Sequence, residues 1–519
     1  MLARVHSAAT FGIEARVLDV EVDVSSGLPS FTIVGLPDPS VREARERVRA
    51  ALRNSGFPIP PGAVTVNLAP AGFRKFGASL DLPVAVAFLK IAGLEPAEPA
   101  RRVFVGELGL DGSVRPIRGT LCLALAARDE GFAEIALPAA NAAEAAAVDG
   151  IRVVAVRSLA ALVDHLRGSR PIPPFVHSPR KNTSGSRPDF ADVRGQAVAR
   201  RALEIAAAGG HHVLFVGPPG AGKTMLARRL PSIVPPLTRS EAIEVTRIHS
   251  VAGTLPAGEG LIETPPFRAP HHGISAPGLV GGGSRPAPGE ISLAHRGVLF
   301  LDELPEFRRD VLEGIRQPIE EKRVSIVRVG GAFSYPCDFL LVAAMNPCPC
   351  GFAGDAVRAC RCDPASRARY GRKLSGPLLD RIDLHVPVPA VPWSDLQRSS
   401  EESSAAIRER VAGIRRLAAA RRPEREAFRN ADLTPAELDP RVSLEPAARR
   451  ILESAVARLG LSVRALYRCL KVSRTIADLE GAGMIGRAHL AEAISYRLRT
   501  GDPDGLSNAR EPRPGTPLS

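Results

Sequence analysis

The sequence predicts a mixed α/β protein of several domains, with a parallel sheet in its middle part and helices at its end. Beyond residue 189, apolar runs recur just before glycine-rich turns, which is typical of parallel strands joined by crossover helices. Before residue 170, short β-like runs alternate with alanine-rich helical stretches, and beyond residue 395 no strand pattern remains. We therefore expect three domains in the order α/β, α/β and helical.

Length and composition set the first limits on function. A chain of 519 residues suits two to four domains of about 100–200 residues each. Its 45% hydrophobic and 24% charged residues exclude a disordered or fibrous protein. The formal net charge of +13 is compatible with a nucleic-acid partner. No apolar run reaches the roughly 18–20 residues that cross a bilayer, and no signal peptide is evident, so we expect a cytoplasmic protein without a membrane partner.

The first predicted domain covers residues 1–170. Its strand patterns lie at 15–24, 31–34, 63–67 and 102–105, and its helical patterns at 41–54 and 82–91. Residues 171–188 are rich in proline, serine and basic side chains without apolar periodicity, which predicts an exposed linker.

The second predicted domain, 189–395, has strand patterns at 213–216, 297–301, 339–344 and 382–388. The third, 396–501, has helical spacing at 406–420 and 445–459. Residues 502–519, rich in proline, glycine and arginine, are predicted to form a flexible tail.

A glycine-rich motif follows the apolar run at 213–216 and precedes a helical pattern. Its eight residues fit G-x-x-x-x-G-K-[ST] and are Gly217, Pro218, Pro219, Gly220, Ala221, Gly222, Lys223 and Thr224. In such a loop the backbone amides surround phosphates, the lysine reaches the β and γ oxygens, and the hydroxyl ligates Mg²⁺. A chance glycine turn is disfavoured by the strand–loop–helix context, so the motif predicts binding of ATP and Mg²⁺.

Three further polar side chains follow predicted strands. Asp302 and Glu303 come directly after the apolar run at 297–301, where the aspartate would hold Mg²⁺ and the glutamate would polarise the attacking water. Asn346 follows the run at 339–344 and could orient that water. The alternatives are a solvated turn for the acidic pair and an ordinary strand–loop junction for the asparagine.

Two arginines on separate elements could complete the hydrolytic site. Arg381 precedes the strand pattern at 382–388, and Arg464 lies in the helical domain. Arginines that arrive from separate elements neutralise charge on a γ-phosphate. Surface ion pairs, for Arg381 with Asp380 or Asp383, are the alternative.

Four of the seven cysteines lie close together, as two C-x-C pairs: Cys348, Cys350, Cys360 and Cys362. Four thiolates can close a tetrahedral Zn²⁺ site and so order a loop that is poor in apolar residues. We predict a structural zinc site within an insertion at 346–372, with free thiols in an irregular loop as the alternative.

Two segments could bind DNA. The first, 267–292, carries Arg268, His271, His272 and Arg285 among many glycines and prolines, and the second, 323–335, is a predicted β-hairpin that carries Arg328. Arginine and backbone contacts to phosphate would hold DNA without reading its sequence. Local hydrogen bonding or metal binding remains open for the histidines.

Several motifs together resemble the magnesium-chelatase-like AAA+ proteins of the YifB/ComM type. They are the phosphate loop, GQ at 195–196, RALEIAAAGGH at 201–211, PGEISLAH at 288–295 and LSGPLLDR at 374–381. The resemblance implies Walker A at Lys223 and Thr224, Walker B at Asp302 and Glu303, and sensor 1 at Asn346. It further implies an arginine finger at Arg381, sensor 2 at Arg464, a helical lid over an AAA+ core, and a homo-hexameric ring with ATP sites between subunits.

The first domain resembles the Lon-type protease domain, which has the ribosomal S5 domain 2-like α/β fold. The resemblance rests on KFGASLDL at 75–82 and GELGLDGSVRPIRG at 106–119. In that register Ser79 takes the place of the nucleophile and Leu121 that of the lysine base. Because a serine needs a neighbouring base to act as a nucleophile, we expect a domain without proteolytic activity.

The sequence therefore predicts an ATPase that drives translocation on single-stranded or branched DNA. The resemblance to the YifB/ComM type implies a branch-migration helicase that promotes DNA integration in natural transformation or recombination. A chelatase-type ring that remodels a partner or drives metal insertion is the alternative. A Lon-like protease is disfavoured by Leu121.

Overall fold

The fold was established from a computed structural model. It describes residues 1–59, 61–97, 101–176, 188–256, 258–283, 286–328, 331–355, 357–397, 401–425, 427–439, 443–459 and 462–497. The predicted tail, most of the predicted linker, Arg285 and the side chain of Arg328 lie outside the described residues.

The amino-terminal region, residues 1–176, is built on a seven-stranded mixed sheet with the order β3-β4-β2-β1-β5-β8-β9. Pairs β1–β2 and β2–β4 are antiparallel, whereas β3–β4, β1–β5, β5–β8 and β8–β9 are parallel. A separate short pair is formed by β6 and β7. The strands are β1 (Leu2–Phe11), β2 (Glu14–Ser25), β3 (Ser30–Val34), β4 (Ala63–Ala69), β5 (Arg102–Phe104), β6 (Glu107–Leu108), β7 (Val114–Arg115), β8 (Glu134–Pro138) and β9 (Arg152–Val156).

Helices cover both faces of this sheet. The strands carry apolar residues at alternating positions or in continuous runs, and these side chains are buried beneath the helices. The buried residues of α2, α3 and α6 join one apolar cluster, and those of α4 and α5 join another. The helices are α1 (Pro39–Arg42), α2 (Ala44–Asn54), α3 (Asp81–Ile91), α4 (Thr120–Asp129), α5 (Ala142–Ala145) and α6 (Leu159–Leu166). The helical pattern at 41–54 is thus divided at Glu43 into two helices.

The central region, residues 188–397, contains a five-stranded sheet of order β11-β14-β17-β10-β18 in which every pair is parallel. Its inner strands are buried on both faces, which explains their continuous apolar runs. Its strands, with two short antiparallel pairs outside the sheet, are β10 (Val213–Val216), β11 (Phe267–Arg268), β12 (Gly281–Gly282), β13 (Ala287–Pro288), β14 (Val298–Leu301), β15 (Arg323–Arg328), β16 (Gly331–Pro336), β17 (Leu340–Met345) and β18 (Leu384–Pro387).

The central region has helices on both faces of its sheet, and most of them contribute buried residues to one of two apolar clusters. They are α7 (Ala197–Gly209), α8 (Lys223–Ile233), α9 (Arg239–Ala252), α10 (Ala276–Val280), α11 (Glu290–Leu293), α12 (Arg309–Glu321), α13 (Pro364–Gly371), α14 (Gly376–Leu379) and α15 (Trp393–Leu396). The predicted hairpin at 323–335 is observed as the pair β15–β16.

Among its described residues, the carboxy-terminal region, 401–497, consists of helices joined by turns and loops, apart from one isolated bridge. Its helices are α16 (Ser404–Arg421), α17 (Pro446–Leu459), α18 (Val463–Leu479) and α19 (Arg487–Ser495). Helix α16 packs on α7 and α8, and α18 packs on α7, so these helices cover one face of the central region. Within the part of the chain that the structure describes, none of the helices combines the length and apolar character needed to cross a bilayer.

The amino-terminal region is docked on the central region through several contacts. Helix α4 packs against α9, where the Cys122 thiol lies 3.9 Å from the carbonyl oxygen of Arg247. The turn between β1 and β2 reaches the β15–β16 hairpin, where the rings of Phe11 and Phe333 are 4.6 Å apart. The hairpin therefore rests on the first domain rather than standing alone.

Candidate nucleotide site

The carboxyl ends of three neighbouring strands, β10, β14 and β17, bring together the polar side chains that the sequence placed after them. Lys223 Nζ lies 3.1 Å from Asn346 Oδ1. Thr224 Oγ1 donates a hydrogen bond of 2.7 Å to Asp302 Oδ2. Residues separated by more than 120 positions thus meet at one edge of the parallel sheet, where ligands of such sheets bind.

The phosphate loop has the backbone that its glycines require. Gly220 and Gly222 have φ values of +77° and +90°, in the left-handed region that favours glycine. A Cβ on Gly217 would lie 2.0 Å from the carbonyl oxygen of Val388, so no larger residue fits there. Helix α8 begins immediately after Gly222 without a side-chain cap, which leaves its first amides directed at the loop. Such a helix start binds anions.

Lys223 is held inside this loop. Its Nζ donates to the carbonyl oxygens of Gly217 and Pro218, at 2.8 and 2.9 Å. Burial lowers the pKa of Lys223, and the charges of Asp302 and Glu303 act in the opposite direction. An ammonium group with little water around it interacts strongly with a phosphate oxygen.

The hydroxyl of Thr224 and the carboxylate of Asp302 fit a magnesium ion, because Mg²⁺ prefers oxygen ligands and binds through one or two protein groups plus substrate phosphates. The backbone amide of Glu303 donates to Asp302 Oδ1 at 3.0 Å and so orients the carboxylate. Glu303 itself has a φ of +52°, and its side chain is 59% exposed at the mouth of the site.

His272 contacts Glu303, which the sequence analysis missed. Both His271 and His272 are predicted DNA contacts, but His272 Nδ1 lies 3.4 Å from Glu303 Oε2. The two imidazole rings are 4.0 Å apart. The loop after β11 reaches the acidic pair because β11 is the neighbour of β14 in the sheet, a pairing that the two-residue strand did not reveal.

Arg268, predicted to contact DNA phosphate, is occupied within the chain. Its guanidinium makes two hydrogen bonds of 2.6 Å to the carboxylate of Glu290. This pairing also raises the pKa of Arg268. This ion pair would have to open before Arg268 could contact DNA phosphate.

Arg381 and Arg464 meet at one carboxylate on the opposite edge of the sheet from the phosphate loop. Arg381 Nη2 lies 2.8 Å from Glu320 Oε1, and Arg464 Nη2 lies 3.5 Å from the same oxygen. Arg381 precedes β18, whereas the phosphate loop touches Val388 beyond its far end. At about 3.3 Å per residue, β18 alone separates the two by about 13 Å. The geometry directs both arginines away from the chain's own phosphate loop.

The four predicted metal-binding cysteines converge. The sulfur atoms of Cys348, Cys350, Cys360 and Cys362 all lie within 4.8 Å of one another. The amides of Ala353 and Cys350 donate to the sulfurs of Cys348 and Cys362, at 3.3 and 3.4 Å. This donor set suits a tetrahedral Zn²⁺ ion. Three further cysteines, Cys122, Cys337 and Cys469, are buried and separate from the cluster.

A cavity of about 610 Å³ lies between the central and carboxy-terminal regions, away from the phosphate loop. Its charges are paired with each other: Asp338 contacts Arg296 at 3.1 Å, Lys322 at 3.5 Å, and Arg429. Although burial raises the pKa of Asp338, these cations hold it below its usual range. The charged side chains that line this cavity therefore form an ion-pair cluster.

Comparison with known proteins agrees with the geometry of the site. The family described as "Magnesium chelatase, subunit ChlI" matches residues 189–396, its carboxy-terminal counterpart matches 401–497, and "Subunit ChlI of Mg-chelatase" matches 20–141. The competence protein ComM of Haemophilus influenzae is 44% identical over 515 residues, which cover 98% of this chain and 99% of the relative. The chain belongs to the YifB/ComM family of magnesium-chelatase-like AAA+ proteins.

The chain is also similar in sequence to two other proteins. The uncharacterized protein YifB of Escherichia coli is 42% identical over 503 residues, 96% of this chain and 97% of the relative. Lon protease 2 of Bacillus subtilis is 31% identical over 141 residues, 26% of each chain. These likenesses agree with the mixed α/β fold and the helical carboxy-terminal region described above.

Leu121, at the position of the lysine base in Lon-type proteases, is buried in the fold. Leu121 is fully buried on α4, the helix that α9 of the central region covers. Lys75, one of the few lysines nearby, is also fully buried, and its Nζ donates to the carbonyl oxygen of Pro70. Leu121 therefore offers no base to Ser79, and the ammonium group of Lys75 is engaged by a backbone carbonyl.

Proposed function

We propose that the protein binds and hydrolyses ATP with Mg²⁺ and uses the energy to move DNA strands. The observation that carries the proposal is the meeting of Lys223, Thr224, Asp302 and Asn346 at the carboxyl edge of one parallel sheet. A phosphate loop with a metal-binding carboxylate on the adjacent strand end is the arrangement that phosphoryl transfer needs.

Each residue then has a defined task. Lys223 and the first amides of α8 bind the β and γ oxygens, and Thr224 with Asp302 would hold Mg²⁺, which neutralises charge as it develops on the phosphates. Glu303, exposed beside Asn346, accepts a proton from the attacking water, and Asn346 orients that water. His272, in contact with Glu303, positions this carboxylate.

The two arginines at the opposite sheet edge are proposed to serve a neighbouring subunit. Arg381 and Arg464 point to Glu320 rather than to their own phosphate loop. A head-to-tail ring, a homo-hexamer by resemblance, would bring them to the next subunit's γ-phosphate as finger and sensor 2.

DNA is proposed as the partner, single-stranded or branched. A net charge of +13 favours phosphate binding, and a relative similar over almost the whole chain carries a competence name. Arg285, Arg328 and His271, on the two predicted loops, are the proposed contacts. A chelatase-type remodelling ring is the second candidate, since magnesium-chelatase families match the chain.

We also propose that the four-cysteine cluster holds one structural Zn²⁺ ion. Its convergent sulfurs and two N–H···S hydrogen bonds support this assignment.

ATP turnover with and without branched DNA tests the proposed function. We expect DNA to stimulate hydrolysis and the protein to drive branch migration, and we expect Lys223→Ala to abolish both. Lys90→Ala, which removes an amino-terminal lysine that donates to the Arg4 carbonyl oxygen, is the control and should behave like wild type. A rate of ATP hydrolysis that does not change when DNA is added would exclude the DNA motor and favour the remodelling ring.

A further inference from the structure

The four-cysteine loop is a long connection in which the described residues, all but 356, form neither helix nor strand. It joins the end of β17 to the start of α13 at Pro364. Val357 within it is 88% exposed, and its buried members include Cys348 and Ala353. A structureless connection of this length inside a compact region needs something to hold it. A tetrahedral thiolate site at its four sulfurs would do so.

This loop packs directly on the phosphate loop. A Cβ built on Gly351 would lie 2.5 Å from Cδ and 2.8 Å from Cγ of Pro219. Gly351 also has a φ of +88°, in the left-handed region. Pro219 belongs to the phosphate loop itself, so the two loops share a contact that leaves no space for a side chain.

The same loop forms a wall of the hydrolytic cavity. A cavity of about 430 Å³ beside Glu303 and Asn346 is also lined by Pro349, which lies between the first two cysteines. Its far wall is helix α13, whose Arg369 and Tyr370 line the cavity.

Helix α13 starts directly after the last cysteine. Asp363, the neighbour of Cys362, caps this helix by accepting a hydrogen bond of 2.8 Å from the amide of Ser366. The loop that carries the four cysteines therefore contacts Pro219, contributes Pro349 to the cavity wall and leads directly into the first turn of α13.

We propose that a Zn²⁺ ion bound by Cys348, Cys350, Cys360 and Cys362 sets the protein's affinity for ATP, by fixing the loop that buttresses Pro219 and walls the hydrolytic cavity. The metal takes no part in phosphate chemistry. This inference rests on ATP binding at the proposed site, but it is independent of DNA and of ring formation.

The first test measures metal content and nucleotide affinity on the full chain. We expect one Zn²⁺ per chain by elemental analysis. After the metal is removed with a chelator, we expect a higher Kd for a fluorescent ATP analogue. Affinity should return when Zn²⁺ is added back. Cys350→Ser/Cys360→Ser should match the chelated protein, whereas Cys469→Ala, a buried cysteine of α18, should keep both metal and affinity.

The second test separates the contact from the metal. Gly351→Ala places a methyl group against Pro219, and we expect it to retain one Zn²⁺ while its Kd for ATP rises about tenfold, because overpacking a close contact has an effect of that order. Gly481→Ala is the matched control, since Gly481 also has a positive φ of +70° but a Cβ there meets nothing within 4 Å.

Three results would overturn the proposal: wild-type protein without zinc, a Kd that chelation leaves unchanged, or a zinc-loaded Gly351→Ala variant that binds ATP like wild type. Failure of the motor proposal is distinguishable from all three, because it would appear as DNA-independent turnover with these nucleotide affinities unaffected.

Discussion

Glu320 accepts two arginines that come from different parts of the chain, and it lies on α12 just before the β15–β16 hairpin. The guanidinium of Arg381 is almost completely buried in this arrangement, and that of Arg464 is half-exposed. Both must leave Glu320 to reach a neighbour's nucleotide. At the scale of single residues, Glu320 therefore competes with the γ-phosphate for the proposed trans-acting arginines.

Glu320→Gln should raise kcat/KM for ATP in the assembled protein. The Glu320 side chain is 41% exposed, and ion pairs to exposed carboxylates contribute ~0.2–1 kcal/mol each, so we expect a gain of about two- to fivefold. Steady-state hydrolysis checks this. Glu321→Gln is the control, because Glu321 accepts only from Gln317 on the same helix among the described contacts. A loss of activity like that of Arg381→Ala would show instead that Glu320 supports the arginines.

At the scale of elements, the β1–β2 turn of the amino-terminal region supports the β15–β16 hairpin. The ring of Phe11 lies 4.6 Å from that of Phe333, and a Cβ on Gly331 would come within 2.8 Å of Phe11 Cζ. The hairpin carries Arg328, a proposed DNA contact.

Phe11→Ala should weaken DNA stimulation of ATP hydrolysis and leave hydrolysis without DNA unchanged. An aromatic pair contributes about 0.5–1.5 kcal/mol, which corresponds to a loss of about two- to tenfold. Phe31→Ala is the matched control, because Phe31 packs on Phe88 within the amino-terminal region. An equal loss in both variants, or a loss of basal turnover in Phe11→Ala, would contradict this role for the turn.

A histidine on strand β18 should make the stability of the folded protein depend on pH. His385 is only 2% exposed, and burial, with the nearby charge of Arg497, lowers its pKa to about 4 from 6.5. Between these pH values the unfolded chain binds a proton here that the folded chain does not, so stability falls as the pH decreases from 6.5 to 4. Thermal unfolding of His385→Leu should show a shallower decline over this window than wild type. Parallel declines would contradict the assignment.

The sequence predicted what depends on local pattern. Strand β10, the phosphate loop and the start of α8 follow from consecutive residues, and the acidic pair after β14 follows from a buried run that ends in charge. The contact of His272 with Glu303 could not be predicted, because it depends on the pairing of β11 with β14. Likewise Glu320 was missed, since its arginine partners are distant in sequence and its own helix marks it as an ordinary exposed position.

At the scale of the whole molecule, the sheet separates the two proposed parts of the ATP site. Its carboxyl edge carries the phosphate loop, Asp302 and Asn346, and its amino edge carries Arg381. In the proposed ring, one subunit would offer the nucleotide-binding residues on one side and the arginines that complete a neighbour's site on another. Such heterologous faces close into a ring when the rotation between copies allows it.

Mixing two inactive variants tests this account most directly. Lys223→Ala lacks the nucleotide cradle but keeps Arg381, and Arg381→Ala has the opposite defect, so each should be inactive alone in ATP hydrolysis with branched DNA. Random assembly from equal amounts restores both parts at about one quarter of the interfaces. We predict recovery of hydrolysis to about that share of the wild-type rate. Mixed rings that form and remain inactive at every ratio would contradict ATP sites shared between subunits.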